Sequence, residues 1–207
     1  NIYLNELIKE YPQQILGSRK DLGVLVKVLD SAVRLPAQAH PDKEFSRKYF
    51  NSEYGKAEAW IILDTRPNAK LYFGFKGKMT KDKLREVIEK GETDKNAFES
   101  VINEFDVKKG EVYFIKPKLI HAIGYGCLIL EIQEPTDFTI QPETWCGDYQ
   151  LSDYEKYLGI DKEIALDCFD YTPRSNDYYK NIRIEPIILY NKDGVKCESL
   201  ISTKDTS

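Results

Sequence analysis

The chain has 207 residues, enough for one domain with a substantial core, or one domain with an appendage. Hydrophobic residues make up 42% and charged residues 31%, and the net charge of −4 is spread over interleaved signs; with no basic stripe, the composition argues against a nucleic-acid partner. The longest apolar runs, 57–63 and 127–132, are too short to cross a bilayer and follow no signal peptide, so no membrane attachment is expected. Cys127, Cys146, Cys168 and Cys197 lie far apart without a C-x-x-C pair and read as reduced thiols of a cytoplasmic protein. The start at Asn1 instead of Met reads as a fragment or a trimmed chain.

In chain order, residues 2–16 predict a short helix stopped by Pro12. The β-branched run Leu22–Leu29 predicts a buried strand that feeds into Leu35-Pro-Ala-Gln38-Ala-His40. Residues 42–56 read as a loop punctuated by Gly55. Ala57–Asp64 reads as a strand with Glu58, Trp60 and Ile62 on one face, where a carboxylate among apolar neighbours requires a partner. After a turn at 66–68, Lys70–Phe75 reads as the second strand of a hairpin with it. Thr80 caps a helix that ends at Gly91, and the spacing of Phe98, Val101, Ile102 and Phe105 predicts a second helix over 95–105. Strands follow at Glu111–Ile115 and Cys127–Gln133, with His121 between them. Residues 152–169 read as helical, 182–201 as a hairpin turning at 191–194, and 202–207 as a linker end.

This order predicts a mainly β protein: an antiparallel jelly-roll β-barrel or sandwich with a helical insertion at about 80–106 and a C-terminal helical segment. A unit over 1–150 would hold the site, with 151–207 packed on it as helices and a terminal hairpin or linker.

Gln38 and His40 lie at i and i+2, so an extended backbone turns both to one side. The chain has only two histidines, and Glu58 and His121 complete a set of two nitrogens and two oxygens that could hold a metal with a position open for water or substrate. Spacing alone leaves a second reading open, in which all four are hydrogen-bonded strand residues.

Four ordered segments carry a family resemblance. Leu25-Val-Lys-Val-Leu-Asp30 with Gln38-Ala-His40-Pro-Asp42, then Gly55-Lys-Ala-Glu58-Ala-Trp60, then Gly110–Ile115, and finally His121-Ala-Ile-Gly124 with Leu128-Ile-Leu-Glu-Ile-Gln133 resemble type I mannose-6-phosphate isomerase, a zinc-dependent family of the cupin superfamily. The likeness spans roughly 22–141. It implies a cupin fold, Zn2+ as cofactor, and Gln38, His40, Glu58 and His121 as its ligands. It also implies a sugar phosphate as small-molecule partner, with mannose 6-phosphate and fructose 6-phosphate interconverted through an enediol. Lys56 matches a family lysine assigned to proton transfer or substrate binding; the other reading of it is a solvated lysine at a loop end.

Two features depart from the family pattern. Within Thr136-Asp-Phe-Thr-Ile-Gln141, Gln141 stands where the family carries an arginine near the substrate's reacting end, and an amide offers no fixed charge or guanidinium fork. Arg174 and Arg183 are the candidates to replace that charge. The family also has more chain before the first strand and a further β-domain at the other end. Gln141 therefore motivates a competing expectation, a metal-binding cupin that binds or senses a sugar phosphate without turnover. A metal-dependent oxygenase fits less well, because redox cupins present more histidines than two. For the phosphate itself, Ser46, Arg47 and Lys48 are candidates, against a solvated charged loop.

Overall fold

Cys127–Gln133 turns every second residue inward, and this alternation makes it the strand on which the main sheet is built. Its outward residues Leu128, Leu130 and Ile132 are half-buried, whereas Cys127, Ile129, Glu131 and Gln133 point into the molecule. The computed structural model describes residues 2–201; the expected linker end at 202–207 lies outside the described residues.

The helices and strands run in the order α1 (Leu4–Glu10), α2 (Pro12–Leu16), β1 (Leu25–Asp30), α3 (Lys43–Phe50), β2 (Glu58–Thr65), β3 (Lys70–Phe75), α4 (Lys81–Gly91), β4 (Ile102–Asp106), β5 (Val112–Ile115), β6 (His121–Ile123) and β7 (Cys127–Gln133). They continue as β8 (Trp145–Cys146), β9 (Tyr149–Gln150), α5 (Asp153–Tyr157), α6 (Lys162–Ala165), α7 (Asn176–Lys180), β10 (Arg183–Ile184), β11 (Ile187–Lys192) and β12 (Val195–Ser199). A five-stranded antiparallel sheet has the order β1-β7-β2-β5-β10, and a three-stranded one the order β4-β3-β6.

Trp60, Ile62, Leu71, Phe73, Ile115 and Ile129 fill the space between these two sheets. A second core packs Leu84 and Ile88 of α4 with Phe98, Ile102, Leu166 and Phe169. This is the mainly β sandwich that the alternation predicts, and all four cysteines are free. Among the described residues no helix is long and apolar enough to cross a membrane.

Several local expectations are corrected. Residues 43–50 form α3 and not a loop, because the Asp42 carboxylate accepts the Phe45 N–H at 2.8 Å and Phe45 buries its ring. The first helix does end just before Pro12, at Glu10, but Pro12 also opens α2 as its first residue, a position where its missing N–H leaves nothing unpaired. β2 and β3 do not form a hairpin. Both edges of β2 are taken by β5 and β7, so β3 crosses to the other sheet. The segment expected as a second helix over 95–105 is a set of turns leading into β4; the 80–106 stretch thus holds one helix and a strand. β4 is fastened to β3 by the Asn103 amide, which donates to the carbonyls of Phe73, Gly74 and Phe75 at 3.1–3.3 Å. The helical stretch after Ser152 is broken into short pieces, and the terminal hairpin forms from β11 and β12 around Asp193 and Gly194.

β6 carries His121 and runs directly into Gly124, whose N–H donates to the Lys70 carbonyl at 3.0 Å. A Cβ at Gly124 would meet that oxygen at 2.2 Å, and a backbone oxygen cannot swing aside. Gly124→Ala is therefore expected to lower stability by about 1–3 kcal/mol. An unchanged urea midpoint would show that β3 and β6 can separate at no cost.

Candidate metal centre

Gln38 and Ala39 make only isolated bridges, yet these place the first two candidate ligands. Gln38 and His121 exchange main-chain hydrogen bonds of 2.9 and 2.8 Å, while Ala39 does the same with Ile140 at 2.8 and 3.0 Å. His40, one residue on, is thereby turned to the same side as Gln38. Glu58 opens β2 and projects from the facing sheet, with its neighbour Lys56 on the same side.

The structure brings all four candidates together. The two histidine Nε2 atoms are 3.1 Å apart, His40 Nε2 is 3.0 Å from Glu58 Oε1, His121 Nε2 is 3.8 Å from Glu58 Oε2, and the Gln38 amide lies 3.4 Å from His121 Nε2. His40, Glu58 and His121 are fully buried.

The tautomers follow from the partners of the other ring nitrogens. His40 Nδ1 is 3.0 Å from the Phe138 carbonyl and His121 Nδ1 is 2.8 Å from the Leu119 carbonyl. A carbonyl oxygen only accepts, so each Nδ1 carries the proton, and in a neutral ring each Nε2 presents a bare lone pair. Burial keeps the rings neutral. It depresses the His40 pKa, and it takes that of His121 down to about 3, with the adjacent His40 adding to the effect. Burial opposes ionisation of Glu58, but the imidazoles and Lys56 outweigh it and hold the carboxyl below its ordinary range. Glu58 Oε1 receives no hydrogen bond of good geometry, and the Lys56 ammonium is its neighbouring cation at 3.3 Å. Two imidazole lone pairs and a carboxylate oxygen thus converge on one point, with the Gln38 amide nitrogen 3.4 Å from His121 Nε2 and the Lys56 ammonium at its edge. Two imidazoles, a carboxylate and an amide are a donor set that fits a zinc ion.

In the metal-free protein this pocket should respond to pH. The unfolded chain protonates its histidines below about pH 6.5, whereas the folded pocket keeps His121 neutral down to about pH 3. The unfolded state thus binds more protons in that window, and stability falls as pH falls through it. Chelated protein is expected to lose urea resistance steadily between pH 7 and 5; a flat midpoint would mean that the rings protonate freely.

Beside the cluster opens a cleft of about 390 Å³, with Lys27, Gln38, Lys56, Glu58, Glu131 and Gln141 in its walls. Lys56 is not the solvated loop-end residue that spacing allowed. It is buried, with Nζ 3.3 Å from Glu58 Oε1, 3.1 Å from Thr139 Oγ1 and 3.5 Å from Asp137 Oδ1. Gln141 reaches the cleft, but its Nε2 donates to the Glu155 carbonyl at 3.1 Å. Arg174 pairs with Asp170, and Arg183 with Glu111 and Glu185; neither lines the cleft. Ser46, Arg47 and Lys48 also lie outside its walls: Ser46 is buried within α3, and Arg47 pairs with Glu53 on the surface.

Two wall residues were missed from the sequence, Lys27 on β1 and Glu131 on β7. Lys27 Nζ is 2.7 Å from Asp137 and 3.6 Å from Glu131. Burial and the nearby charge of Glu58 raise the pKa of Glu131 above its ordinary value. The signal for Glu131 was available: like Glu58, it is a carboxylate alternating with apolar residues in a strand.

No protein-family model matches the chain. It is 34% identical over 143 residues to the mannose-6-phosphate isomerase ManA of Bacillus subtilis, covering 69% of this chain and 40% of that protein. It is 31% identical over 138 residues to the mannose-6-phosphate isomerase of Streptococcus mutans, covering 66% of this chain and 41% of the relative. The chain thus spans less than half the length of these curated relatives. Among solved structures, the mannose 6-phosphate isomerase from Bacillus subtilis superposes with a TM-score of 0.72 at 22% identity, over 96% of this chain and 59% of that one. A zinc-bound mannose 6-phosphate isomerase gives 0.66 at 14% identity, over 90% and 64%.

Proposed function

Because the chain is a sequence relative of the mannose-6-phosphate isomerases and shares their fold, we propose that it is the metal-binding part of an isomerase that interconverts mannose 6-phosphate and fructose 6-phosphate. The observation that carries this reading is the convergence of the two histidine Nε2 atoms, 3.1 Å apart, on Glu58, whose Oε1 lies 3.0 Å from His40 Nε2. Gln38, His40, Glu58 and His121 would hold Zn2+, the Gln38 amide, whose Nε2 faces His121, turning over to present its oxygen. The ion would supply a positive charge that stabilises negative charge developing on the substrate oxygens.

The remaining tasks fall to the cleft walls. Moving a proton between C1 and C2 through an enediol requires a group that can take it up and return it. Glu131, whose affinity for a proton is raised, and Lys56, packed against Glu58, are the two groups that face the cleft beside the cluster. Lys27 and Lys56 would donate to substrate oxygens, and Asp137 holds both ammonium groups in place.

One observation favours a second reading. No arginine lines the cleft, and the Gln141 amide is engaged by the α5 backbone, so a sugar phosphate would be bound there without a guanidinium at its reacting end. On that reading the chain binds the sugar phosphate without converting it.

The initial rate of fructose 6-phosphate formation from mannose 6-phosphate, by zinc-loaded and by chelated protein, separates the two. Turnover that disappears on chelation and returns with zinc is the expected result. Binding of both zinc and sugar phosphate without turnover would overturn the isomerase reading in favour of the second.

A further inference from the structure

Trp60 is wholly buried between the sheets, two residues beyond Glu58 on the same side of β2 and directly opposite Glu131 on β7. An indole has one N–H and nothing else to donate. Here that N–H is shared: Nε1 lies 3.0 Å from Glu58 Oε2 and 3.0 Å from Glu131 Oε2. The same ring meets His121 edge-on, with centroids 5.5 Å apart at 74°, and leans on Phe73 at 5.8 Å from its other side. One rigid side chain therefore touches two members of the candidate metal cluster and a carboxylate of the cleft wall.

The two carboxylates use the N–H differently. Glu58 receives it on Oε2, which leaves Oε1 facing His40; Glu131 receives it on Oε2, which leaves Oε1 toward Lys27. Without the indole, each carboxyl group loses the N–H that fixes its Oε2, and the two buried groups face each other with no shared donor between them.

We propose that Trp60 is a positioning residue that couples the metal centre to the substrate cleft, its single N–H dividing between Glu58 and Glu131. This rests on the reading of Glu58 as a zinc ligand. When a cation draws on Glu58, the carboxylate becomes a poorer acceptor, and the N–H swings its share toward Glu131. Zinc occupancy is thereby felt at the cleft wall with no movement of the strands. Outer partners that orient a metal's ligands typically change affinity 10–100-fold when removed.

The clean test replaces Trp60 with its benzothiophene isostere, which keeps the shape and removes the N–H, in a Trp145→Phe background so that only one site is labelled. Zinc affinity, measured by competition with a chelating dye, is expected to fall about 10–100-fold. In the Trp145→Phe protein with its native indole, the one indole N–H signal in a ¹H–¹⁵N spectrum is expected to move on zinc addition and to move differently after Glu131→Gln. A purely structural Trp60 predicts unchanged zinc affinity in the isostere and an indole response to zinc that Glu131→Gln leaves as it was. An isostere that binds zinc within twofold of its parent, or an indole signal indifferent to zinc, overturns the proposal. Affinity is read independently of turnover, so loss of the isomerase activity reading leaves this result standing. A parent protein that takes up no zinc overturns the metal reading and this proposal together.

Discussion

Alanine at position 121 is expected to abolish stoichiometric zinc binding and to reduce any isomerase turnover to the level of chelated protein. His121 supplies half of the chain's imidazole and, on the proposed reading, half of the nitrogen donors to the ion. Its Nδ1–H is committed to the Leu119 carbonyl and its ring is held by the edge of Trp60, so no neighbouring imidazole can take its place. The loss should exceed the 10–100-fold that follows removal of an outer partner, because here a bond to the metal itself disappears. Zinc content after gel filtration, measured together with the initial rate, checks both halves. Full zinc content in His121→Ala would show that the ion is held elsewhere.

The largest expected loss of stability comes from a different place. Arg34 forms a fork onto Glu143, with Nη1 2.9 Å from Oε2 and Nη2 on Oε1, while its Nε reaches Glu99 at 2.7 Å. Glu143 is almost entirely buried and also accepts the Ala37 N–H at 2.6 Å. Burial works against the charge on Arg34, but Glu143 and Glu99 more than offset it and raise the guanidinium pKa. Arg34→Ala strands a buried carboxylate with a single N–H, and breaking such a pair from one side typically costs about 3–5 kcal/mol. Urea denaturation at neutral pH measures the loss. Arg85→Ala is the control: its pairs with Glu163 and Asp82 are on the surface, and little change is expected. Since Ala37 immediately precedes Gln38, Arg34→Ala should also weaken zinc binding. A shift no larger than that of Arg85→Ala would mean that water reaches Glu143 once the guanidinium is gone.

The site was more legible in the sequence than the path that builds it. Gln38 and His40 at i and i+2, and Glu58 and Lys56 likewise, follow from strand geometry alone, and the structure places each pair on one side. The cap at Thr80 and the stop near Gly91 were likewise local and were recovered as α4. What could not be read was pairing. Phe98, Val101, Ile102 and Phe105 satisfy a helical period, yet the backbone of β3 takes residues 102–106 as a strand, a choice made 30 residues away. The expected hairpin after β2 failed for the same reason, since β7 had already claimed the edge that β3 would need. Glu131 was a different omission. It obeys the rule that drew notice to Glu58, but its importance comes from lying opposite Trp60, a register that only the folded sheet displays.

Gln38 and His121 are joined to each other by two reciprocal main-chain hydrogen bonds across 83 residues of chain, and that join has a kinetic meaning. Neither half of the cluster exists until the loop between them has closed, and closure over such a distance is among the slow, entropically expensive steps of folding. An ion that needs both halves finds nothing to grip in the early, partly ordered chain. Its binding energy is added to the closed state, and it opposes reopening of the join. Zinc would act on this chain as a latch on a shut door: it is the lifetime of the closed state that lengthens.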